Sequence, residues 1–332
     1  MFLLRGLAVS LSLFFLLYAV LSLAVARGWE AVTVFYQRRS QQQQLADILF
    51  FARILPLAVA AFSTVLLVAP SFLLLEPRWS QERLRLLPLV LGSAGLILVV
   101  FGSWNAVKAL RRTARVVRAW RLDAHEVDCE AEVPVFCTNP AMNAAAGIGK
   151  IAPPFAVAGI VRPAVFMSPA AAATLSGPEL LSVIRHEMAH VRRRDNLKRL
   201  LFRACAFPFM QRIEHAWADA TEAAADDAAV SSTGEALDLA AALVKLSRLV
   251  AAAPARVSSC GHSADELTMA LLHTGTTVPN RVERLVAWTQ PQPVSGLRST
   301  SYTSVLIAAF LFALCYGPML VGAHALTELL MQ

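Results

Sequence analysis

The chain has 332 residues, 57% of them hydrophobic, with a mean hydropathy of +0.55 and a formal net charge of +7. This composition excludes an ordinary soluble protein and leaves room for several membrane spans beside one soluble domain. The basic balance does not require nucleic acid, because basic segments beside spans lie against anionic lipid. We therefore expect a membrane protein that does not bind nucleic acid directly.

Four apolar stretches are each long enough to cross about 30 Å of hydrocarbon as a helix. They cover about residues 7–26, 54–75, 86–104 and 305–323. The small residues Ala24-Val25-Ala26 also fit the end of a cleaved signal peptide. The long apolar run and the Arg27 that follows it favour an uncleaved span instead.

Basic residues at the exit of the third span predict its orientation. Six of them follow the span: Lys108, Arg111, Arg112, Arg115, Arg118 and Arg121. Because such residues stay on the cytoplasmic side, we predict a multi-pass protein of the bacterial inner (plasma) membrane. Its parts would be a membrane domain at 1–121, a cytoplasmic domain at 122–300, and the fourth span with a short tail at 301–332.

The soluble segment contains a His-Glu-x-x-His motif at His186-Glu187-Met188-Ala189-His190. Residues four apart share one face of a helix, so His186 and His190 can present two imidazoles to one metal ion. Zn²⁺ suits two imidazoles and a carboxylate, and it lowers the pKa of a bound water to about 7. Glu187 can take the proton of that water, so the motif predicts a zinc metalloendopeptidase with Glu187 as its catalytic base.

The third zinc ligand is expected from a later helix rich in alanine, which allows close approach. Glu222 and Asp226 lie four apart on that helix. We predict Glu222 as the third ligand and Asp226 as the acceptor that orients a ligand histidine. Glu214 and His215 are rival ligands, but neither has a matching second carboxylate that would give the Glu-x-x-x-Asp spacing of Glu222 and Asp226.

The segment from Phe155 to Val230 resembles the antirepressor-type membrane metallopeptidases, the BlaR/MecR-like regulators of β-lactam resistance. The shared pattern is an apolar segment, then His-Glu-x-x-His-x-x-Arg-x-Asp, here with Arg193 and Asp195, then Glu-x-x-x-Asp-Asp from Glu222. The segment Arg281–Leu285 resembles the family's basic pre-membrane segment. Two departures touch no metal ligand: Ala225 stands where a cysteine is common, and the lead-in Asp219-Ala220-Thr221 is less basic.

The resemblance implies a mainly α membrane protein with an α+β zincin-like (gluzincin) domain inserted between the third and fourth spans. It also implies that Asp195 supports the site and that the activity is regulated proteolysis of a cytoplasmic protein, with a DNA-binding repressor as one candidate. The expected partners are this substrate, the lipid bilayer and, as an open alternative, a second copy of the chain. Family members that sense β-lactams carry a penicillin-binding domain after the fourth span, so direct sensing is not expected here.

Short β signals precede the motif helix. Metallopeptidases commonly hold substrate as a strand added to a sheet edge. We predict that edge at Phe155, Ala156, Val157, Ala158 and Gly159, with an ordinary buried hairpin as the alternative.

Two other functional classes remain open. A quality-control membrane protease of the HtpX type has the same three ligands, but those proteins tend to place spans between the motif helix and the third ligand. Here that interval holds only one apolar stretch, Leu200–Met210, which is interrupted by Arg203 and too short to cross. The other class is a non-catalytic signalling module with structural zinc, which would not need Glu187.

Overall fold

The computed structural model describes residues 2–37, 42–76, 86–122, 124–127, 129, 131–138, 154–252, 268–270, 278–288 and 302–331. Within these ranges the protein is mostly helical, with one small sheet.

Long apolar helices form the first part of the chain. Helix α1 spans Phe2–Gln37, and α2 spans Gln42–Ser63. Helix α2 continues through a π-helical turn at Thr64–Val68 into α3, which spans Ala69–Leu75. Helix α4 spans Leu86–Leu122. Three stretches of the described residues are long and apolar enough to cross a membrane: Phe2–Ala31, Gln42–Leu75 and Leu86–Leu122. They contain the first three predicted spans, and they indicate a membrane protein.

The fourth predicted span falls on the last helix of the chain, Tyr302–Met331. The side chains of residues 302–314 lie outside the described part. The fourth crossing, and with it the number of spans, therefore stays a prediction.

Glycines allow α1 and α4 to pack closely. A Cβ added at Gly92 would lie 2.7 Å from the backbone oxygen of Ala8, and one at Gly95 would lie 2.6 Å from that of Leu11. Small residues let membrane helices approach in this way. The hydroxyl of Ser12 lies in the same contact and donates to the carbonyl of Pro88 across 2.8 Å.

A five-stranded sheet follows the membrane helices. Its strands are β1 His125–Val127, β2 Val135–Cys137, β3 Phe155–Ala158, β4 Ala164–Met167 and β5 Thr268–Ala270. Their order across the sheet is β1-β2-β4-β3-β5. Strand β3 pairs antiparallel with β4 on one side and with β5 on the other, while β2 and β4 are parallel.

The prediction that residues Phe155 to Gly159 form a free substrate-binding edge is wrong for this sheet. Both sides of β3 carry a partner strand, and its residues Phe155, Ala156, Val157 and Ala158 are all buried. Gly159 follows the strand and turns the chain with a φ of +99°. The cause is visible in the sequence, because an unbroken apolar run is typical of an interior strand rather than a half-exposed one.

Among the described residues, six helices build the remainder of the predicted soluble part around this sheet. They are α5 Pro169–Thr174, α6 Gly177–Arg192, α7 Asp195–Ala204, α8 Gln211–Ala229, α9 Thr233–Ala252 and α10 Val278–Val286; the last helix, Tyr302–Met331, is α11. Helix α6 begins where the backbone N–H of Ser176 donates to the Glu179 carboxylate across 2.7 Å, a common N-terminal cap. Its apolar face joins Val165 of the sheet and Leu243 of α9 in one core.

Helix α8 packs directly on the membrane helices. Ile213 and Trp217 of α8 are buried against Leu45 and Leu49 in the first turns of α2. Arg53 of α2 donates through Nε to the Glu214 carboxylate of α8 across 2.8 Å. The soluble part therefore packs directly against the membrane helices and is not joined to them by linkers alone.

Candidate metal centre

The two histidines of the His-Glu-x-x-His motif meet inside the protein. His186 and His190 lie one turn apart on α6, and both are buried. Their Nε2 atoms are 3.2 Å apart. The four-residue spacing on one helix therefore produces the shared face that the sequence predicts.

Helix α8 brings Glu222 to this pair. One carboxylate oxygen, Oε2, lies 3.5 Å from Nε2 of His186, and the other, Oε1, lies 3.7 Å from Nε2 of His190. Zinc with tetrahedral bonds of about 2.0–2.1 Å requires ligand atoms about 3.3 Å apart. His186, His190 and Glu222 thus form a buried group, with ligand atoms within 4.8 Å of one another, that could hold a metal ion.

Carboxylates fix the other side of each imidazole. Nδ1 of His190 lies 2.9 Å from Oδ2 of Asp195, which is the first residue of α7. Nδ1 of His186 lies 3.0 Å from Oδ1 of Asp226, although its N–H is not in line for a hydrogen bond. Both carboxylates favour a proton on Nδ1, which leaves the Nε2 lone pairs facing each other. Two lone pairs 3.2 Å apart repel each other unless a proton or a metal ion lies between them, so the donor set fits a divalent metal.

In the metal-free protein a proton can take this place. Burial alone would lower the pKa of His186, but the neighbouring carboxylates of Asp226 and Glu222 raise it to about 9. A metal ion would displace this proton, because zinc binds the neutral imidazole.

The carboxylates of α8 stay ionised despite full burial. Burial would raise the pKa of Glu222, but Arg281 and the two histidines lower it to about 2. Arg281 and His186 likewise hold the pKa of Asp226 far below its usual range against the effect of burial. An ionised Glu222 is the form that binds metal.

Sequence reasoning missed the contribution of Arg281 and Arg284 on α10. Arg281 is only 4% exposed. It donates through Nη1 to Glu222 across 3.0 Å, and through Nε and Nη2 to the two oxygens of Asp226 across 3.0 and 2.6 Å. Arg284 donates to Asp227, to the carbonyl of Ala223 and, across 3.2 Å, to Asp226. The sequence does contain one signal for this contact. Arg281 and Arg284 lie about one helical turn apart, as do Glu222 and Asp226 on α8, so the two pairs can face each other.

Glu187 has a different environment from the other acids. It is fully buried, and neither oxygen of its carboxylate has a hydrogen-bond partner within the described part of the chain. Burial raises its pKa to about 7, although the two histidines act in the opposite direction. A carboxyl group with this pKa can accept and return a proton near neutral pH, as a general base and acid must.

The rival ligands lie elsewhere. Glu214 accepts the hydrogen bond from Arg53 described above, and His215 on the same helix is exposed. Asn196, next to Asp195, donates to the carbonyl of Gly159 across 3.0 Å and so ties α7 to the end of β3. The structure therefore gathers His186, Glu187, His190, Glu222, Asp226 and Asp195 at one place, and it leaves Glu214 and His215 outside.

No protein-family model, curated protein or solved structure matches this chain. The fold and the site together define a membrane protein with a buried group that could bind a metal ion. Its assignment to a peptidase family is a proposal carried by the motif residues and by this geometry.

Proposed function

We propose that the protein is a membrane-embedded zinc endopeptidase. The observation that carries this proposal is the fully buried carboxylate of Glu187, which has no hydrogen-bond partner among the described residues and follows His186 of the three-residue group in the chain. A buried charge without a partner is costly, and such groups concentrate where a site needs a proton acceptor.

The alternative of a structural zinc site fits less well. Structural zinc is held by four protein ligands, whereas a catalytic site keeps one position open. Among the residues that the structure describes, the group contains three side chains. A non-catalytic module would also gain nothing from Glu187, which in the described part of the chain belongs neither to the three-residue group nor to an ion pair.

Each side chain then has a separate role in peptide hydrolysis. His186, His190 and Glu222 would hold zinc, which when bound polarises the peptide carbonyl and acidifies the attacking water. Glu187 accepts the proton of that water and transfers it to the leaving amine. Asp195 and Asp226 hold the imidazoles in the required orientation.

The proposed substrate is a cytoplasmic protein. The basic residues that follow the third apolar stretch favour a cytoplasmic location for the soluble part. The resemblance to antirepressor metallopeptidases favours regulated cleavage of a signalling protein, with a DNA-binding repressor as the leading candidate. The membrane helices against which α8 packs would transmit the membrane signal to the metal centre.

Peptide hydrolysis by the purified protein tests this proposal. Full-length protein in detergent would be incubated with a mixed-sequence peptide library, and new termini would be identified by mass spectrometry. We expect cleavage by the wild type and none by Glu187→Gln at equal zinc content. Equal cleavage by both would contradict the proposal and indicate a contaminating protease. A proteome comparison of cells expressing the two forms would then identify the substrate.

A further inference from the structure

The connection between α7 and α8, residues 205–210, lies among the membrane helices. The ring of Phe207 packs against that of Tyr18 with centroids 5.4 Å apart, and the backbone N–H of Phe207 donates to the Tyr18 hydroxyl across 3.2 Å. Tyr18 belongs to the uncharged run of α1, nine residues before Arg27, which corresponds to about 13 Å along the helix. This contact therefore lies well within the apolar part of α1.

The other two membrane helices give the same placement. A Cβ at Gly102 of α4 would overlap the backbone oxygen of Ala204 and would lie 3.4 Å from Cβ of Ala206. Gly102 lies six residues before Lys108, or about 9 Å inside the uncharged run. From α2, Ala60 joins the cluster on which Phe207 packs. All three helices thus contact the connection, α1 and α4 within their uncharged runs.

The protein itself satisfies backbone groups of this segment. Arg53 of α2 is only 2% exposed and donates through Nη2 to the carbonyl of Cys205 across 2.5 Å. The Tyr18 hydroxyl accepts from Phe207, as described above. Non-helical backbone is tolerated at membrane depth only where protein or enclosed water satisfies its polar groups. Arg53 and Tyr18 meet that requirement for the carbonyl of Cys205 and the N–H of Phe207.

The tip of the connection is apolar and faces outward. The sequence Cys-Ala-Phe-Pro-Phe-Met from residue 205 to residue 210 has no charge, and Arg203 and Arg212 flank it. Phe209 is 74% exposed and has a φ of +68°. A large aromatic ring turned outward beside membrane helices fits hydrocarbon rather than water.

We propose that residues 205–210 form a membrane-inserted loop that enters among α1, α2 and α4 and returns on the same side, with Phe209 in contact with lipid acyl chains. Helix α7 links this loop to Asp195 at the metal centre, and its ten residues span about 15 Å. Helix α8 leaves the loop and carries Glu222. Both helices are thus anchored in the bilayer, and this holds whether or not the protein is a peptidase.

A nitroxide probe on full-length protein in lipid nanodiscs tests the insertion. A ketone-bearing amino acid at position 209 would carry the probe, so that the native cysteines remain. Collision rates with oxygen, which enters lipid, and with a nickel chelate, which stays in water, report its depth. The reference positions are Val99 in the uncharged run of α4 and Leu237 on α9 of the soluble part, both exposed.

We expect the probe at position 209 to match the one at position 99, with high oxygen and low nickel access. Access matching position 237 would overturn the proposal. Two glycine substitutions then test the contact between the loop and α4. Gly102→Leu places a side chain in that contact, and Gly28→Leu is the control, because a Cβ added at Gly28 has no neighbour within 4 Å. Nickel access at position 209 should rise in Gly102→Leu alone. No change there, or an equal change in both variants, would overturn the placement of the loop against α4.

Discussion

Nη1 of Arg281 donates to Oε2 of Glu222 across 3.0 Å, although 59 positions separate the two residues in the chain. The same guanidinium bonds both oxygens of Asp226. One buried cation from α10 therefore balances the two carboxylates that α8 brings to the metal centre. It binds one oxygen of Glu222 and leaves Oε1 of that residue free for a metal ion.

Arg281→Gln should destabilise the metal-free protein strongly. Removing one partner of a buried ion pair typically costs about 3–5 kcal/mol in the free energy of unfolding, because the remaining charges are left uncompensated. Zinc would supply part of the missing positive charge, so zinc should raise the unfolding temperature of this variant more than that of the wild type. Thermal unfolding in detergent with and without zinc measures both effects.

Arg284→Gln is the matched control on the same helix. Arg284 is partly exposed and makes a longer bond to Asp226, of 3.2 Å. Its loss should therefore cost less stability, and the response to zinc should stay close to that of the wild type. An equal response in both variants would contradict a specific role for Arg281.

Substitutions at the carboxylates should separate metal ligands from supporting groups. Glu222→Ala removes a ligand and should abolish zinc occupancy at ordinary concentrations. Asp226→Asn and Asp195→Asn should still bind zinc, but about 10–100-fold more weakly, because they remove only the partner of a ligand imidazole. A zinc titration of the three variants beside the wild type measures the difference. If Glu222→Ala bound zinc normally while Asp226→Asn did not, the two assigned roles would be reversed.

The stability of the metal-free protein should depend on pH through Glu187. Its pKa rises from 4.5 to about 7 on burial in the folded state. The folded protein therefore holds this proton more tightly, so the wild type loses stability as pH rises from about 4.5, where the unfolded chain releases the proton, to about 7, where the folded protein does. Glu187→Gln carries no such titration. At pH 8 it should therefore unfold at a higher temperature than the wild type, and its free energy of unfolding should be larger by up to about 3 kcal/mol. At pH 4, below both pKa values, the two proteins should nearly coincide. A difference independent of pH would show that Glu187 does not titrate in this way.

Reporter fusions should place the soluble part in the cytoplasm. The prediction rests on Lys108 and the five arginines that follow it in α4. A reporter that fluoresces only in the cytoplasm should be active when fused after Arg256. A reporter active only outside should work after Gln332 if the fourth span crosses. The reverse pattern would contradict both the orientation and a cytoplasmic substrate.

The sequence predicts the local part of the metal centre well. His186 and His190 share a helical face through their four-residue spacing, and Glu222 and Asp226 do the same on α8. Helical periodicity is a local property, and the alanines of α8 indicate close packing before the packing partner is known. Asp195 follows His190 by five residues, so α6 and the turn after it suffice to bring the two together.

Contacts between distant segments could not be predicted in this way. Arg281 and Arg284 come from α10, which begins 49 positions after the end of α8, and nothing local links their charges to Glu222. Strand β5 likewise comes from far along the chain to cover β3. The apolar run from Phe155 indicated an interior strand, but not which distant segment would pair with it. The stretch Leu200–Met210 is not among the candidate membrane spans of the described residues, but its contact with Tyr18 and Gly102 depends on tertiary packing.

Metal content of the purified protein tests the central claim most directly. Full-length wild type, Glu187→Gln and His186→Ala would be purified without chelators and analysed for zinc per chain. The account predicts about one zinc per chain in the wild type and in Glu187→Gln, because the three ligands remain, and almost none in His186→Ala. Wild-type protein without zinc, or His186→Ala with as much zinc as the wild type, would contradict it.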